Sequence, residues 1–253
     1  LIFWMLIMSD KKTVLITGAS GGVGRSLCQG FKEKGWKVIA TDKVESESID
    51  ANHFINIDLD LLCNDETYCA DKIGILKKYL SGRLNVLINN AALQIVSPIE
   101  EILLQDWQRS LNINLTAPFL LSVKLLDELI ATQGNIINIS SIHAKLTKPN
   151  FTAYATSKSG LSGLTKSLAV EIGNKVRVNS ISPAAIDTQM LREGFTNIEN
   201  GLENLSNYHP SKSIGLSTDV VEAALYLANG NKFVNGMEIT LDGAISSRLH
   251  DPQ

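Results

Sequence analysis

Short apolar runs rich in β-branched residues alternate with longer amphipathic stretches along almost the whole chain of 253 residues. Several runs are nearly continuous in hydrophobicity, which is typical of parallel strands covered by helices on both faces. Between them, apolar residues recur every three or four positions, as on one face of a helix. Strands are predicted at residues 13–17, 37–41, 54–57, 86–88, 136–139, 176–181 and 238–241. This alternation predicts an α/β fold with a doubly wound parallel sheet of about seven strands and helices on both faces.

No repeat, low-complexity tract or Pro/Gly/Ser linker divides the chain, so residues 8–253 are predicted to form a single domain. Residues 1–7 are apolar, but a segment this short cannot cross a membrane, which takes about 20 residues. We expect them to be a non-native or disordered N-terminal extension. At about 189–215 the sequence is polar and rich in turn formers, which fits either a substrate lid or a short surface helix flanked by turns.

The net charge and the cysteine content argue against a nucleic acid partner and against a metal site. A net charge of −3 offers no basic field for a phosphate backbone, so no nucleic acid partner is expected. The three cysteines lack a metal-ligand spacing, and no metal site is predicted. Because the chain shows no secretion signal and no apolar span, we predict a cytoplasmic protein without a membrane partner.

A glycine-rich loop directly follows the first predicted strand and precedes a helical pattern. Gly18, Gly22 and Gly24 stand in the segment Gly18-Ala-Ser-Gly-Gly-Val-Gly24. At such a strand–turn–helix junction, backbone N–H groups and the positive helix end can hold a phosphate. Gly18 permits the turn, Gly22 lets a pyrophosphate approach, and Gly24 allows close packing of helix and strand. This context predicts a Rossmann-like dinucleotide site, although a plain glycine-rich turn has the same composition.

Polar residues at the ends of the following strands extend the predicted nucleotide site. Asp42 ends the second strand, 18 residues after Gly24, where a carboxylate binds ribose hydroxyls and repels a 2′-phosphate. This favours NAD, with NADP less favoured, although Lys43 partly offsets the repulsion and a solvated turn carboxylate is the alternative for Asp42. Asp58 is expected to cap the adenine pocket, and Asn90 ends the fourth strand at the ligand-binding edge of such sheets.

Tyr154 and Lys158 lie one helical turn apart on a predicted helix, so their side chains share a face. A phenol with its ordinary pKa of about 10 is a poor base at neutral pH, and a nearby ammonium lowers that pKa. Ser141 precedes Tyr154 by 13 residues, at the end of a strand, where its hydroxyl can hold a substrate oxygen. The Tyr–Lys spacing alone is common on helices. Its place downstream of a dinucleotide loop is what points to proton transfer.

With these motifs in this order, the chain resembles the short-chain dehydrogenase/reductase family, in its single-domain branch. The resemblance runs from roughly Lys12 to Gly243. It is carried by the segment from Thr17 to Gly24, Asn89-Asn90-Ala91-Ala92, Asn114, Ser141, Tyr154 with Lys158, and the segment from Pro183 to Thr188.

The resemblance implies an NAD-dependent oxidoreductase that transfers a hydride between nicotinamide and a secondary alcohol or ketone. Tyr154 would be the general acid/base, Lys158 would lower its pKa and bind the nicotinamide ribose, and Ser141 would position the substrate oxygen. Asn114 would kink a helix and hold a water of the proton relay. The implied cofactor contacts are Gly18, Ser20, Gly22, Val23, Gly24, Asp42, Asp58, Leu59, Asn90, Tyr154, Lys158, Pro183, Ile186 and Thr188.

For two of the implied catalytic residues, a residue of the same type lies close by in the sequence and could take the same role. Asn112 competes with Asn114, and Ser140 competes with Ser141; the spacing from Trp107 favours Asn114, and the spacing to the tyrosine favours Ser141. Small-molecule substrate contacts are predicted at Gln94, Ser141 and His143. The polar lid segment favours a polyol, sugar or hydroxy acid over a steroid.

The chain departs from the family pattern at Ala92, Ala184 and Ala244, where glycine is usual. Ala184 matters most, because its turn is expected near the nicotinamide, and a positive φ there would cost of order 1 kcal/mol. The helices around residues 107–130 and 154–172 resemble those that pair subunits in the family, which implies a homotetramer or homodimer. The alternative function is a catalytically silent nucleotide-binding or scaffold relative of the same fold.

Overall fold

Seven parallel strands form one sheet at the centre of the protein, in a computed structural model that describes residues 11–45, 49–196 and 198–249. The strands are β1 (Thr13–Thr17), β2 (Lys37–Asp42), β3 (His53–Asn56), β4 (Val86–Asn89), β5 (Asn135–Ile139), β6 (Arg177–Pro183) and β7 (Glu238–Leu241). Every predicted strand is confirmed, with bounds that differ by at most two residues. The predicted extension, residues 1–7, lies outside the described residues.

The strand order in the sheet is β3-β2-β1-β4-β5-β6-β7. The chain builds outward from β1 to β3 and then returns to place β4 on the other side of β1. The carboxyl ends of β1 and β4, at Thr17 and Asn89, therefore flank the point where the strand order reverses. In doubly wound sheets this is the place where a crevice for a ligand opens.

Helices cover both faces of the sheet, as predicted. They are α1 (Gly22–Glu33), α2 (Leu59–Asn64), α3 (Glu66–Leu80), α4 (Leu104–Leu111), α5 (Ala117–Lys124), α6 (Leu126–Ile130), α7 (Thr152–Ile172), α8 (Gln189–Gly194), α9 (Gly201–Tyr208) and α10 (Ser217–Asn229). None of the helices in the described ranges is long and apolar enough to cross a membrane.

Two apolar clusters, one on each face, explain why the strands read as continuous apolar runs. In β1, Leu15 packs in one cluster, with residues of α3, α5 and α7, whereas Val14 and Ile16 pack in the other, with α1 and α10. All three side chains are fully buried. Since successive strand residues point to opposite faces, burial of both faces requires apolar residues at consecutive positions.

The polar segment at 189–215 contains the two short helices α8 and α9. It is tied down at both ends: the Arg192 guanidinium donates to both carboxylate oxygens of Asp187 at 2.7 Å, and Gly215 donates to the carbonyl of Ala185 at 2.9 Å. His209, which follows α9, is buried. The segment is thus built as short helices with anchored ends, and its motion as a lid stays a prediction.

The turn at Ala184 does not require the positive φ that would strain an alanine. Ala184 has no positive φ; its N–H donates to Leu241 at 2.9 Å, so it continues the pairing of β6 with β7. Of the three alanines that replace family glycines, Ala244 is the one with a left-handed backbone, at φ 67°. It lies beyond the last strand, away from the sheet's central crevice.

Candidate active site

The glycine loop between β1 and α1 is so tightly packed that two of its positions have no room for a side chain. A Cβ on Gly18, where φ is +66°, would lie 2.6 Å from Cα of Ala91, and a Cβ on Gly24 would lie 2.0 Å from the carbonyl oxygen of Gly18. At Gly22 it would lie 3.0 Å from Cγ2 of Thr188. The loop is therefore wedged between the ends of β4 and β6 and presents the N-terminus of α1 to the crevice.

Asp42 fixes the outer side of this loop. One carboxylate oxygen accepts a hydrogen bond from the N–H of Ser20 at 3.0 Å, and the other accepts from the N–H of Lys43 at 2.7 Å. The hydroxyl of Ser20 donates to the carbonyl of Val44 at 2.5 Å. Each carboxylate oxygen has a second lone pair, so Asp42 keeps the capacity to accept ribose hydroxyls.

Asn90 and Asp58 hold the neighbouring strand ends in place. The amide of Asn90 donates to the carbonyls of Thr17 and Gly18 at 3.0 and 3.1 Å. Asp58 is the N-cap of α2, accepting from the N–H of Asp60 at 2.8 Å. Both side chains also line the crevice.

The crevice is a cleft of about 530 Å³, and every predicted cofactor contact except Ile186 lines it. The side chain of Ile186 is buried in the apolar cluster under α10 instead. The predicted nucleotide residues are therefore brought together, with that one exception. Within the described residues, no cluster of three or more His, Cys, Asp or Glu side chains is arranged to hold a metal ion.

Tyr154 lines this cleft, and the side chain of Ser141 beside it acts to lower the pKa of the tyrosine. Ser141 directly follows Ser140, the residue after β5, and Tyr154 is in the first turn of α7. The rival Ser140 is turned away from the tyrosine: its hydroxyl contacts the carbonyl of Lys158 at 3.3 Å and the hydroxyl of Ser162 at 3.2 Å. The hydroxyl of Ser140 is thus engaged by α7, although Ser140 also lines the cleft, and the role of Ser141 stays a prediction.

Lys158 lies on the same face of α7 as Tyr154 but directs its ammonium to the sheet. Its Nζ donates to the carbonyl of Ile139 at 2.7 Å and lies 5.7 Å from the centroid of the Tyr154 ring. Burial lowers the pKa of Lys158 to about 7, and burial raises the pKa of Tyr154 although the side chain of Ser141 opposes this. The role of Lys158 in lowering the pKa of Tyr154 stays a prediction.

The buried position of Lys158 predicts a cost in stability. Replacing Lys158 by Met should raise the free energy of unfolding at pH 6 by about 1–4 kcal/mol, because the variant no longer buries a cation. The folded-state pKa of about 7 lies below the ordinary 10.5, so the unfolded chain binds more protons between these values. The stability of the unmodified protein should therefore rise with pH across this window, and the advantage of the variant should shrink.

Urea unfolding of both proteins at pH 6 and pH 9 measures this difference. Lys166→Met, at an exposed position of the same helix, is the matched control and should change stability little at either pH. A variant at position 158 that is less stable than the unmodified protein at pH 6 would show that the buried ammonium stabilises the fold.

Asn114 is fully buried in a π-helical turn, Asn112–Thr116, that separates α4 from α5, so the predicted kink is present. Its side-chain oxygen accepts from the N–H of Leu93 at 2.7 Å, and its amide donates to the carbonyl of Leu93 and to the hydroxyl of Ser157, both at 2.9 Å. It therefore ties the segment after β4 to the helix that carries Tyr154. The rival Asn112 bonds to Asp60 instead. Because the amide is already engaged, the water-holding role stays a prediction.

Of the predicted substrate contacts, the structure brings His143 next to Tyr154. His143 stacks on Phe151, with ring centroids 4.6 Å apart and planes 5° apart, and its centroid is 5.8 Å from that of Tyr154. Gln94 is exposed on the segment that follows β4.

A family model matches the part of the chain that runs from the first strand through the proposed active site to the segment after α8. The model described as short chain dehydrogenase matches residues 12–199. The chain belongs to the short-chain dehydrogenase/reductase family. It is an oxidoreductase with an NAD(P)-binding Rossmann-like fold. The predicted family and fold class are thereby confirmed.

The relatives that the chain resembles are named for different substrates. The chain is 30% identical over 250 residues to 3beta-hydroxysteroid dehydrogenase 1 of Eggerthella lenta, covering 93% of this chain and 94% of that protein. The ligand-free structure of Thermoplasma acidophilum aldohexose dehydrogenase matches with a TM-score of 0.87 and 29% identity, over 96% of this chain and 98% of that one.

Structural relatives also differ in the cofactor they contain. ElxO with NADP bound matches with a TM-score of 0.84 and 28% identity. A 4-hydroxyisoleucine dehydrogenase complexed with NADH matches with a TM-score of 0.83 and 27% identity. Each match covers 94% of this chain and 100% of the other. Membership of the family therefore establishes NAD(P) binding but leaves the predicted preference for NAD as a prediction.

Several side chains with long polar or charged groups line the cleft but were not assigned to it from the sequence. Among them are Arg25, Arg109, Gln189 and Glu193. The sequence could have indicated Arg25, because it directly follows the last glycine of the loop. Its guanidinium donates to the carbonyl of Ser20 at 2.5 Å. Arg109 and Glu193 reach the cleft from α4 and α8, and no local pattern distinguishes them from other exposed helix residues.

Proposed function

We propose that this protein catalyses reversible hydride transfer between NAD(H) and a secondary alcohol or its ketone, with Tyr154 as the general acid/base. The observation that carries the proposal is that Tyr154 lines the same cleft as the glycine loop, with the side chain of Ser141 beside it. Two hydroxyls beside a dinucleotide cleft are the groups needed to hold a substrate oxygen and exchange its proton.

The residues of the cleft fit a nicotinamide dinucleotide. Gly18 and Gly24 leave the backbone bare where a Cβ would collide, and the α1 N-terminus faces the same space, a combination suited to a pyrophosphate. Asp42 would bind the adenosine ribose, and Pro183 and Thr188 would flank the nicotinamide end. When bound, the nicotinamide supplies the hydride donor or acceptor for the reaction.

The side chains supply the proton chemistry. The raised pKa of Tyr154 keeps its hydroxyl protonated at neutral pH, the form that donates a proton to a ketone during reduction. Ser141 would hold the same substrate oxygen and stabilise its partial negative charge. Lys158 would bind the nicotinamide ribose, while Asn114 keeps the helix of Tyr154 and Lys158 in register with the segment after β4.

A substrate screen with NAD and NADP in parallel tests the proposal. Secondary alcohols, sugars and hydroxy acids are supplied with each oxidised cofactor, and ketones with each reduced one, while absorbance of the nicotinamide is followed. Turnover of any of them supports the proposal. Cofactor binding without turnover across the whole panel supports the catalytically silent alternative.

The preference for NAD is tested by Asp42→Asn. The amide can still accept from Ser20, but the charge that repels a 2′-phosphate is gone, so the ratio of kcat/KM for NADP to that for NAD should rise about tenfold or more. Asp58→Asn is the matched control, because it removes a carboxylate from the same cleft and asparagine also caps helices. An unchanged ratio in Asp42→Asn would contradict the assignment.

Substrate contacts at Gln94, Ser141 and His143, action in the cytoplasm, and assembly as a homotetramer or homodimer belong to the same proposal. Assembly is supported by large apolar side chains exposed on the helices expected to pair: Leu104, Phe119, Val123 and Val170, with Val170 88% exposed.

A small-molecule partner is supported by a cleft of about 530 Å³, within the ordinary range of ligand sites.

A further inference from the structure

The ring of His143 is held in one place beside the proposed proton-transfer group. It stacks on Phe151, which is 8% exposed, and both rings stand nearly perpendicular to the ring of Tyr154, at interplanar angles of 74° and 79°. The backbone N–H of His143 donates to the hydroxyl oxygen of Ser141 at 3.2 Å. The imidazole is therefore fixed relative to both hydroxyls that would hold the substrate oxygen.

One ring nitrogen of His143 is engaged and the other is not. Nδ1 lies 3.3 Å from the hydroxyl of Thr147, whereas Nε2 makes no hydrogen bond to any residue that the structure describes. His143 is only partly buried, so this nitrogen is not sealed in the core. A preorganised ring with one free nitrogen is a group that can bind a polar substituent of a substrate.

The surroundings of the imidazole favour its neutral form. Burial lowers the pKa of His143, and the positive charge of Lys148, whose Nζ lies 4.6 Å from the centroid of the Phe151 ring, lowers it further. A carboxylate on the substrate would instead be bound best by a protonated imidazole, which these surroundings oppose. A hydroxyl is the better match, because it both donates and accepts hydrogen bonds, as a neutral imidazole does.

We propose that His143 binds a hydroxyl on the carbon next to the reacting carbon, so that the substrate is a vicinal diol of the polyol or sugar class. This rests on the proposed function, since Ser141 and Tyr154 must hold the reacting oxygen for His143 to meet its neighbour. Two gauche vicinal oxygens lie about one hydrogen-bond length apart. The imidazole adjoins both groups that would hold the first of these oxygens: its ring centroid is 5.8 Å from that of Tyr154, and its backbone N–H contacts the hydroxyl of Ser141.

Matched alcohols that differ by one hydroxyl test this inference. Cyclohexanol is compared with cis- and trans-cyclohexane-1,2-diol, and 2-butanol with 2,3-butanediol, in the unmodified protein, His143→Phe and His143→Gln. Phenylalanine keeps the stack on Phe151 and removes the hydrogen bond, whereas glutamine restores a polar group. Thermal unfolding and cofactor binding are measured on each variant, so that a folding defect is recognised.

The unmodified protein should prefer at least one diol over its mono-alcohol by about tenfold in kcat/KM, the worth of one good hydrogen bond. His143→Phe should lower the kcat/KM for the diol about tenfold more than that for its mono-alcohol, and His143→Gln should recover part of this difference. Equal losses on both members of a pair, or no preference for diols in the unmodified protein, would overturn the inference and leave the proposed function intact. Absence of turnover of every alcohol with either cofactor would overturn the proposed function itself.

Discussion

Tyr154→Phe should lower kcat by about 10³-fold, within the range of 10²–10⁴ that general acid/base groups contribute, while the dissociation constant for the cofactor changes by less than about threefold. The substitution removes only the tyrosine hydroxyl, which the side chain of Ser141 adjoins. The phenyl ring that remains can keep its perpendicular contacts with His143 and Phe151, so the local packing should be preserved. Steady-state kinetics on the best substrate from the screen, together with a cofactor titration by fluorescence, measure the two quantities.

Tyr79→Phe is the matched control for this substitution. Tyr79 lies on α3, is 36% exposed and stacks on His53, far along the chain from the proposed proton-transfer residues. It should leave both turnover and cofactor binding unchanged. If Tyr154→Phe keeps the turnover of the unmodified protein, Tyr154 is not the acid/base; if it loses cofactor binding as well as turnover, the hydroxyl supports the cleft rather than the chemistry.

The sheet and the residues near the glycine loop were predictable from the sequence because their signals are local. Strands buried on both faces need consecutive apolar residues, and this fixed the positions of β1 and β5 to within one residue. Gly18 was recognised as the glycine that permits the turn between a strand and a helix, and the structure gives it a φ of +66°. Tyr154 and Lys158 were placed on one face by helical periodicity alone.

What the sequence could not supply was the environment that tertiary packing creates. The ammonium of Lys158 is buried and bound to the carbonyl of Ile139, a contact between α7 and β5. The side chain of Ile186 packs under α10 rather than in the cleft, and its assignment to the cofactor stays a prediction. Ala184 needs no positive φ, because the pairing of β6 with β7 continues there. Each of these depends on which element lies opposite, which spacing along the chain does not report.

The substitution Gly24→Ala tests most directly whether the glycine loop holds the cofactor. The added methyl would lie 2.0 Å from the carbonyl oxygen of Gly18 and 2.8 Å from Cα of Ala19, so it meets backbone atoms that no side-chain rotation can move. Either the N-terminus of α1 or the loop must shift, and both form the surface proposed to hold the pyrophosphate. We expect cofactor affinity to fall at least 100-fold, which corresponds to about 3 kcal/mol, and stability to fall by about 1–3 kcal/mol from overpacking.

Gly74→Ala separates this effect from the general consequences of adding a methyl group to a helical glycine. Gly74 is exposed on α3, and a Cβ there would meet nothing within 4 Å. Alanine at that site should leave cofactor affinity unchanged and raise stability by about 0.5–1 kcal/mol, because it restricts the unfolded chain and favours the helix. Isothermal titration with NAD and urea unfolding are carried out on both variants. A Gly24→Ala protein that binds NAD like the unmodified protein would show that the α1 N-terminus and its loop do not hold the cofactor, and the nucleotide site would have to lie elsewhere.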